Sequence, residues 1–230
     1  MKEKTSEKKS SETGTNGVGT GIKRRSFVKL LGGGIFIIFR PWNSIDLLSA
    51  LPQERRSLTK DYNAFLHVQQ DGMITCYTGK VELGQGVITS LPLMMADELN
   101  VPLQKIRIVM GDTEICPYDA GTWGSQTTQT FGPAMRAALA EARAVLLDMA
   151  SVQLKVPVSR LDVKDGIITD TDNPRNRVSY AQLAKGKKLE KYLDVKPPVE
   201  DYTKFTYVGK PAMKADSYEK VTGKAKYAGD

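Results

Sequence analysis

The chain has 230 residues, 40% of them hydrophobic, and a formal net charge of +7. This length fits one or two domains, and the composition is that of a globular protein, which argues against a wholly disordered chain. Two cysteines are too few for a disulfide scaffold or a four-cysteine metal site, and no apolar run reaches the roughly 20 residues that span a bilayer.

The positive charge is concentrated at the N-terminus. Residues 1–29 contain eight Lys/Arg and three Asp/Glu, a net charge of +5, whereas from residue 30 onward 25 Lys/Arg face 23 Asp/Glu, a net charge of +2. A nearly balanced body without interleaved basic and aromatic residues lacks the surface that nucleic acids require. We therefore expect no nucleic-acid partner.

The first 50 residues indicate a tail followed by an export signal. Residues 1–22 contain almost no large apolar side chains, which predicts a disordered tail. In residues 23–50, a basic cluster with paired arginines precedes the apolar stretch Leu30–Phe39, the pattern of a twin-arginine signal. The alternative is a basic cluster before a buried helix. Gly32, Gly33 and Gly34 argue against a helix, because each glycine costs about 1 kcal/mol relative to alanine. The signal predicts a periplasmic protein, or a membrane-associated one if the leader is uncleaved.

Two hairpins are predicted in the body of the chain. Alternating apolar residues flank Asp71-Gly72 over residues 65–77, and a similar pattern flanks Asp165-Gly166 over residues 160–169. An Asp-Gly pair favours a tight turn because glycine tolerates a positive φ.

A helix, a strand and a second helix are predicted between the hairpins. The first helix is expected to begin at a Ser90 cap, with Pro92 in its opening turn, and to end near Asn100. A strand follows over Leu103–Met110, and apolar residues at three- to four-residue spacing predict a long helix over Gly132–Leu154. These elements indicate an α+β fold with two helices packed on a sheet. The polar stretch from Asp172 to about Thr203 is interpreted as a linker or surface segment.

The first candidate binding segment is Gly79–Val87, between a strand and a helix. Gly84 and Gly86 allow close approach to a ligand, and the Gln85 amide offers a donor and an acceptor. The following helix would direct its N–H groups to the same place. A Gly-Gln-Gly triplet alone also occurs in many ordinary turns.

The second candidate segment is Gly121–Gly132, which ends at the start of the long helix. Its glycines and hydroxylated residues form a donor-rich surface that suits phosphate oxygens. The alternative is a Ser/Thr-rich capping loop. Neither segment has the spacing of a dinucleotide-binding or P-loop motif.

Five motifs follow one another along the chain: Lys80–Val87 (KVELGQGV), Ala96–Leu99 (ADEL), Gly111–Thr113 (GDT), Gly121–Ser125 (GTWGS) and Gly132–Arg136 (GPAMR). Taken in order, with the alanine-rich helix that runs on to Met149, they resemble the molybdenum-cofactor-binding part of the xanthine dehydrogenase/aldehyde oxidase family. With the leader, the chain is most similar to the large subunits of the isoquinoline 1-oxidoreductase and exported aldehyde dehydrogenase type.

The resemblance implies a division of the chain and a set of cofactor-binding residues. Residues 60–200 would be the N-terminal part of the molybdopterin-binding domain, and residues 205–230 the start of an a/b hammerhead domain. Gly84, Gln85 and Gly86 would lie against the pterin, and the phosphates would lie against Gly124, Ser125, Gln126, Thr127 and Thr128. Gln126 stands where the family often has arginine, so one cation beside the polyanion is missing.

The resemblance also implies a reaction and partners. The family hydroxylates N-heterocycles or aldehydes with molybdenum on a pterin, in bacteria commonly the cytosine dinucleotide. Electrons leave through a [2Fe-2S] cluster on a small subunit and, in exported members, pass to a cytochrome c.

The catalytic glutamate of the family lies far along the full-length subunit. We therefore assign no catalytic residue and no protein metal ligand in this chain, and neither Glu82 nor Glu98 is proposed as the base. The chain is expected to be an N-terminal fragment, inactive alone. The alternative is a non-catalytic exported α+β domain that binds a partner protein.

Overall fold

The computed structural model describes residues 33–39, 64–185, 188–191, 197–227 and 229. The predicted tail and the basic cluster lie outside the described residues. The strands are β1 Gly34–Phe39, β2 Ala64–Gln69, β3 Ile74–Thr78, β4 Ile106–Met110, β5 Leu161–Lys164, β6 Ile167–Asp170, β7 Asn173–Ser179 and β8 Lys188–Lys191. The α-helices are α1 Val87–Leu99, α2 Gly132–Leu154, α3 Tyr180–Ala184 and α4 Ser217–Val221.

Two sheets organise these strands. The larger has the order β4-β3-β2-β1-β8, with antiparallel pairing of β1, β2 and β3 and parallel pairing of β3 with β4 and of β1 with β8. The smaller is the antiparallel sheet β5-β6-β7. Both predicted hairpins are confirmed, and Gly72 (φ 86°) and Gly166 (φ 74°) have the left-handed backbone expected of them.

The core lies between the larger sheet and the helices α1 and α2. One face of each helix packs on apolar side chains from β1, β2 and β3, which confirms the α+β prediction. The fully buried residues at this interface include Leu66, Ile74, Leu91, Met95, Leu99, Leu139 and Leu146. Among the described residues, no helix combines the length and the apolar character needed to cross a bilayer.

Helix α1 begins earlier than the sequence predicts. It starts at Val87 after the left-handed Gly86 (φ 89°), so the predicted Ser90 cap is wrong and Pro92 lies inside the helix. The reason is that the Glu82 carboxylate accepts a hydrogen bond from the Ile88 N–H and thereby satisfies the first turn. The predicted end is confirmed, because Asn100 adopts the left-handed conformation there.

Helix α2 spans Gly132–Leu154 as predicted, and a π-helical turn, Thr127–Phe131, leads into it. The linker interpretation of the stretch from Asp172 is wrong over most of the described part. That stretch contributes β7, α3 and β8, and its buried residues include Val178, Tyr180 and Leu183. A capping box between Ser179 and Gln182 starts α3 and is visible in the sequence as Ser-x-x-Gln.

The apolar stretch assigned to the export signal supplies strand β1. Ile35 and Ile37 are buried in the core and pair with Val68 and Leu66 of β2. Gly34 is required sterically, because a Cβ there would lie 2.5 Å from the His67 ring and 2.6 Å from a backbone carbonyl oxygen. The alternative of a buried helix is wrong for Gly34–Phe39, which is extended.

Candidate functional site

Both candidate segments leave the larger sheet at the same edge. Strands β3 and β4 are parallel, so their carboxyl ends lie side by side. The segment Gly79–Gly86, here called the GQG loop, follows β3 directly. The connection after β4 carries the segment Gly121–Phe131, here called the threonine loop, which leads into α2.

A buried lysine joins the two loops. The ammonium group of Lys80 donates hydrogen bonds to Asp119 Oδ1 at 2.8 Å and to the Gly121 carbonyl at 2.7 Å. Both side chains of this ion pair are almost fully buried, and the Lys80 Nζ lies 5.7 Å from the centre of the Phe131 ring. Burial lowers the pKa of Lys80, and the Asp119 carboxylate opposes that shift. The ion pair therefore fixes the first residues of the GQG loop against the start of the threonine loop.

A second contact lies one residue further along each loop. The Val81 N–H donates to the Thr122 hydroxyl at 2.9 Å. Gln85 follows four residues after Val81, and Ser125 three residues after Thr122, so the candidate residues of both loops extend from one junction. The structure thus brings together the two segments that the sequence singled out.

The Glu82 carboxylate occupies the N-terminus of α1. It accepts hydrogen bonds from the N–H groups of Gly84 (2.7 Å), Gly86 (2.9 Å) and Ile88 (2.8 Å). Burial raises the pKa of Glu82, but these three hydrogen bonds and the charge of Lys214 together lower it by more than burial raises it. The pKa of Glu82 therefore lies below its ordinary value of 4.5. The expectation that the free N–H groups of the helix point at a ligand is therefore wrong for Ile88, the one member of α1 among the three donors.

The Gln85 side chain also bonds within its own loop. Its Oε1 accepts from the Leu83 N–H at 2.5 Å, and its Nε2 donates to the Val81 carbonyl at 2.9 Å. Gly84 and Gly86 have φ angles of 104° and 89°, and no heavy atom lies within 4 Å of the Cβ position of Gly84. The loop is therefore open to solvent at Gly84.

The threonine loop presents exposed polar groups at a sharp turn. Gly124 and Ser125 are consecutive left-handed residues (φ 61° and 56°), and Ser125 and Thr128 are exposed, whereas Thr127 is buried. The Oε1 of Gln126 is buried and finds no hydrogen-bond partner within the described part of the chain. A buried amide oxygen of this kind can accept a hydrogen bond from a ligand.

The carboxylates at the end of α1 hold a segment near the C-terminus. The segment Glu200–Asp216 is here called the strap. Glu98, fully buried, contacts Arg136 (3.1 Å) and Arg143 (3.5 Å) and accepts the Glu200 N–H at 2.9 Å. Burial raises the pKa of Glu98, and the Glu200 N–H and the two arginines oppose that shift. Glu98 therefore links α1, the two arginines of α2 and the strap.

Sequence reasoning identified the two loops but missed the groups that place them. Lys80 and Asp119 are 39 positions apart, and no local pattern connects them. Glu82 is visible in the sequence as an acidic residue just before a helix start, which is the signal for a capping carboxylate. Within the described residues, no cluster of three His, Cys, Asp or Glu side chains could hold a metal ion.

Comparisons with known proteins identify one family. The family described as "Molybdopterin cofactor-binding domain" matches residues 18–227. The chain is 32% identical over 166 residues to a nicotinate dehydrogenase subunit of Pseudomonas putida, covering 72% of this chain and 14% of that protein. It is 30% identical over 128 residues to the beta subunit of isoquinoline 1-oxidoreductase of Brevundimonas diminuta, covering 53% and 16%.

Part of the chain also aligns with a solved structure. CO dehydrogenase from Oligotropha carboxidovorans aligns with a TM-score of 0.46 and 28% identity, over 53% of this chain and 15% of that one. The chain thus spans only 14–16% of the length of these relatives.

Proposed function

The chain belongs to the family of molybdopterin cofactor-binding domains, and on this premise we propose that the GQG loop and the threonine loop form one surface for a molybdopterin cofactor that carries molybdenum. The observation that carries the proposal is the junction of the two loops, where Lys80 bonds to Gly121 and Val81 to Thr122. This junction places two segments from distant parts of the chain beside each other.

The residues present fit such a cofactor in shape and in donor set. Gly84 and Gly86, which have a positive φ, and the exposed Gln85 between them would lie against the pterin through backbone and aliphatic atoms. Gln126, whose buried Oε1 has no hydrogen-bond partner among the described residues, would lie with its neighbours against the phosphates. The phosphates would lie against the backbone of Gly124 and Thr127 and the hydroxyls of Ser125 and Thr128.

The chemistry would be divided between the cofactor and the chain. When bound, the molybdenum centre supplies the oxidation–reduction capacity. The described residues orient the group: Lys80 and Asp119 hold the two loops together, and Glu82 fixes the start of α1. Glu82 and Glu98 are both engaged in capping or ion-pair contacts, so neither is assigned a proton-transfer role.

We further propose that the chain is the N-terminal part of a molybdenum hydroxylase large subunit that oxidises an N-heterocycle or an aldehyde. Relatives that carry subunit names, among them nicotinate dehydrogenase and isoquinoline 1-oxidoreductase, support this proposal. The partners would be a [2Fe-2S] small subunit and a cytochrome c acceptor, and the pterin the cytosine dinucleotide form. Residues 60–200 would be the cofactor domain and residues 205–230 the start of the hammerhead domain.

We propose twin-arginine export to the periplasm with an uncleaved leader. The leader's apolar stretch supplies β1, and Ile35 and Ile37 pack in the core. Removal of residues up to 50 would therefore take a strand out of the sheet, whereas retention keeps the fold intact.

The test is the cofactor content of the purified chain after coexpression with cofactor-synthesis genes. Molybdenum is measured by mass spectrometry, and the pterin by the fluorescence of its oxidised form. The double variant Ser125→Ala/Thr128→Val should lower both several-fold, because it removes two exposed hydroxyls from the phosphate end. The control Ser159→Ala, at an exposed position in the turn before β5, should leave both unchanged. Absence of pterin and molybdenum from the wild-type chain would instead favour the partner-binding alternative.

A further inference from the structure

The strap runs along α1 in the opposite direction to the helix. Its residues Thr206–Val208 contact Asp97 in the last turn of α1, and its Ala215 N–H donates to the Thr89 hydroxyl in the first turn at 2.9 Å. Thr89 and Asp97 are eight positions apart, which corresponds to about 12 Å along a helix. The strap therefore connects the two ends of α1 from outside.

The anchored end of the strap is held by buried charge. Asp97 is 5% exposed, and its carboxylate accepts the N–H groups of Thr206 (2.7 Å), Tyr207 (3.0 Å) and Val208 (2.7 Å). Glu200 adds an ion pair with Arg143 at 2.6 Å. Several charge-assisted hydrogen bonds to one short segment fix its register on the helix.

The other end of the strap contacts the GQG loop. The Lys214 ammonium group donates to the Gly84 carbonyl at 3.1 Å, and its Cε lies 4.0 Å from the Cβ position of Gly86. The same ammonium lies 3.7 Å from Asp216 Oδ1, which keeps it at this end of the strap. Lys214 thus lies against the exposed side of a loop whose glycines make its shape easy to change.

We propose that the strap fixes the shape of the GQG loop, with Asp97 as its anchor at the far end of α1 and Lys214 as the positioning residue at the loop. Glu82 holds the loop from inside through the N–H groups of Gly84 and Gly86, and Lys214 holds it from outside through the Gly84 carbonyl. The effect on loop order depends only on these contacts. The effect on cofactor binding rests on the proposed function.

The test is amide hydrogen exchange of the cofactor-free 230-residue chain. Lys214→Ala and Asp97→Asn should each speed exchange at Gly84, Gly86 and Ile88 by about tenfold, since local opening is governed by the contacts that the segment loses. Exchange in β2 and β3 should not change. Lys214→Arg should restore the slow rates, because it keeps a cationic donor, and Lys210→Ala, an exposed lysine of the same strap, should have no effect.

Two results would overturn the proposal. One is an Asp97→Asn variant that loosens Thr206–Val208 while Gly84 and Gly86 exchange at wild-type rates. The other, decisive if Asp97→Asn does not fold, is a Lys214→Ala variant with an unchanged GQG loop. Pterin content is measured in parallel: if the variants loosen the loop but the wild-type chain never binds pterin, the proposed function is refuted and the strap proposal stands.

Discussion

The Nζ of Lys80 lies 2.8 Å from Oδ1 of Asp119, and the two side chains are 2% and 0% exposed. The pair joins residues that are 39 positions apart and belong to connections after two different strands. Because Lys80 also donates to the Gly121 carbonyl, a single ammonium group ties the GQG loop to the first residue of the threonine loop. The position of each loop therefore depends on the other.

Lys80→Met should destabilise the chain strongly. The substitution keeps the length of the side chain but leaves the Asp119 carboxylate buried without its cation, at an expected cost of about 3–5 kcal/mol in the free energy of unfolding. The double variant Lys80→Met/Asp119→Asn should recover much of the loss, because the buried charge is removed. Urea unfolding measures both. A loss below about 1 kcal/mol for Lys80→Met would show that the pair is solvated in the protein.

The GQG loop should become less ordered at low pH, because Glu82 loses its negative charge. The folded pKa of Glu82 lies below its ordinary 4.5, so the stabilisation is present above that value and is lost as the pH falls through the lower folded pKa. The amide chemical shifts of Gly84, Gly86 and Ile88 should titrate together, with a midpoint below 4.5. Glu82→Gln should abolish this titration and Glu114→Gln, at an exposed position, should not. A common midpoint at or above 4.5 would contradict the capping contact.

Under the proposed export, the mature protein should retain Gly34–Phe39. Ile35 is fully buried in the core, and truncation of such a residue to alanine typically costs about 2–5 kcal/mol. A chain shortened to begin at residue 51 should unfold at a much lower urea concentration, whereas deletion of residues 1–22 should have no effect. The intact mass of the periplasmic protein gives the N-terminus. A stable mature protein that starts near residue 50 would refute the role of β1.

Local patterns predicted much of the fold. The Asp-Gly pairs located both hairpins, and the apolar stripe located α2 to the residue, because turn chemistry and helical periodicity are properties of neighbouring positions. The start of α1 was missed because a carboxylate four residues before the helix cap replaces Ser90 as the capping group. Strand β1 was missed because an apolar stretch after a basic cluster has the same composition in a signal and in a strand.

In the candidate site, too, residues within a short segment could be predicted, whereas contacts between distant positions could not. The candidate glycines at 84, 86 and 124 and hydroxyls at 125 and 128 could be proposed from the sequence, since they lie within two short segments. The contacts that position these segments could not be predicted. Asp97 meets the strap across more than 100 positions, and such pairs become neighbours only once the helices have packed.

The most direct measurement is amide hydrogen exchange of the chain with and without bound molybdopterin cofactor. If the two loops form one surface, cofactor binding should slow exchange in residues 79–88 and in residues 121–132 together, and strands β5 and β6 should be unaffected. Protection of only one of the two loops, or of neither, would contradict the account.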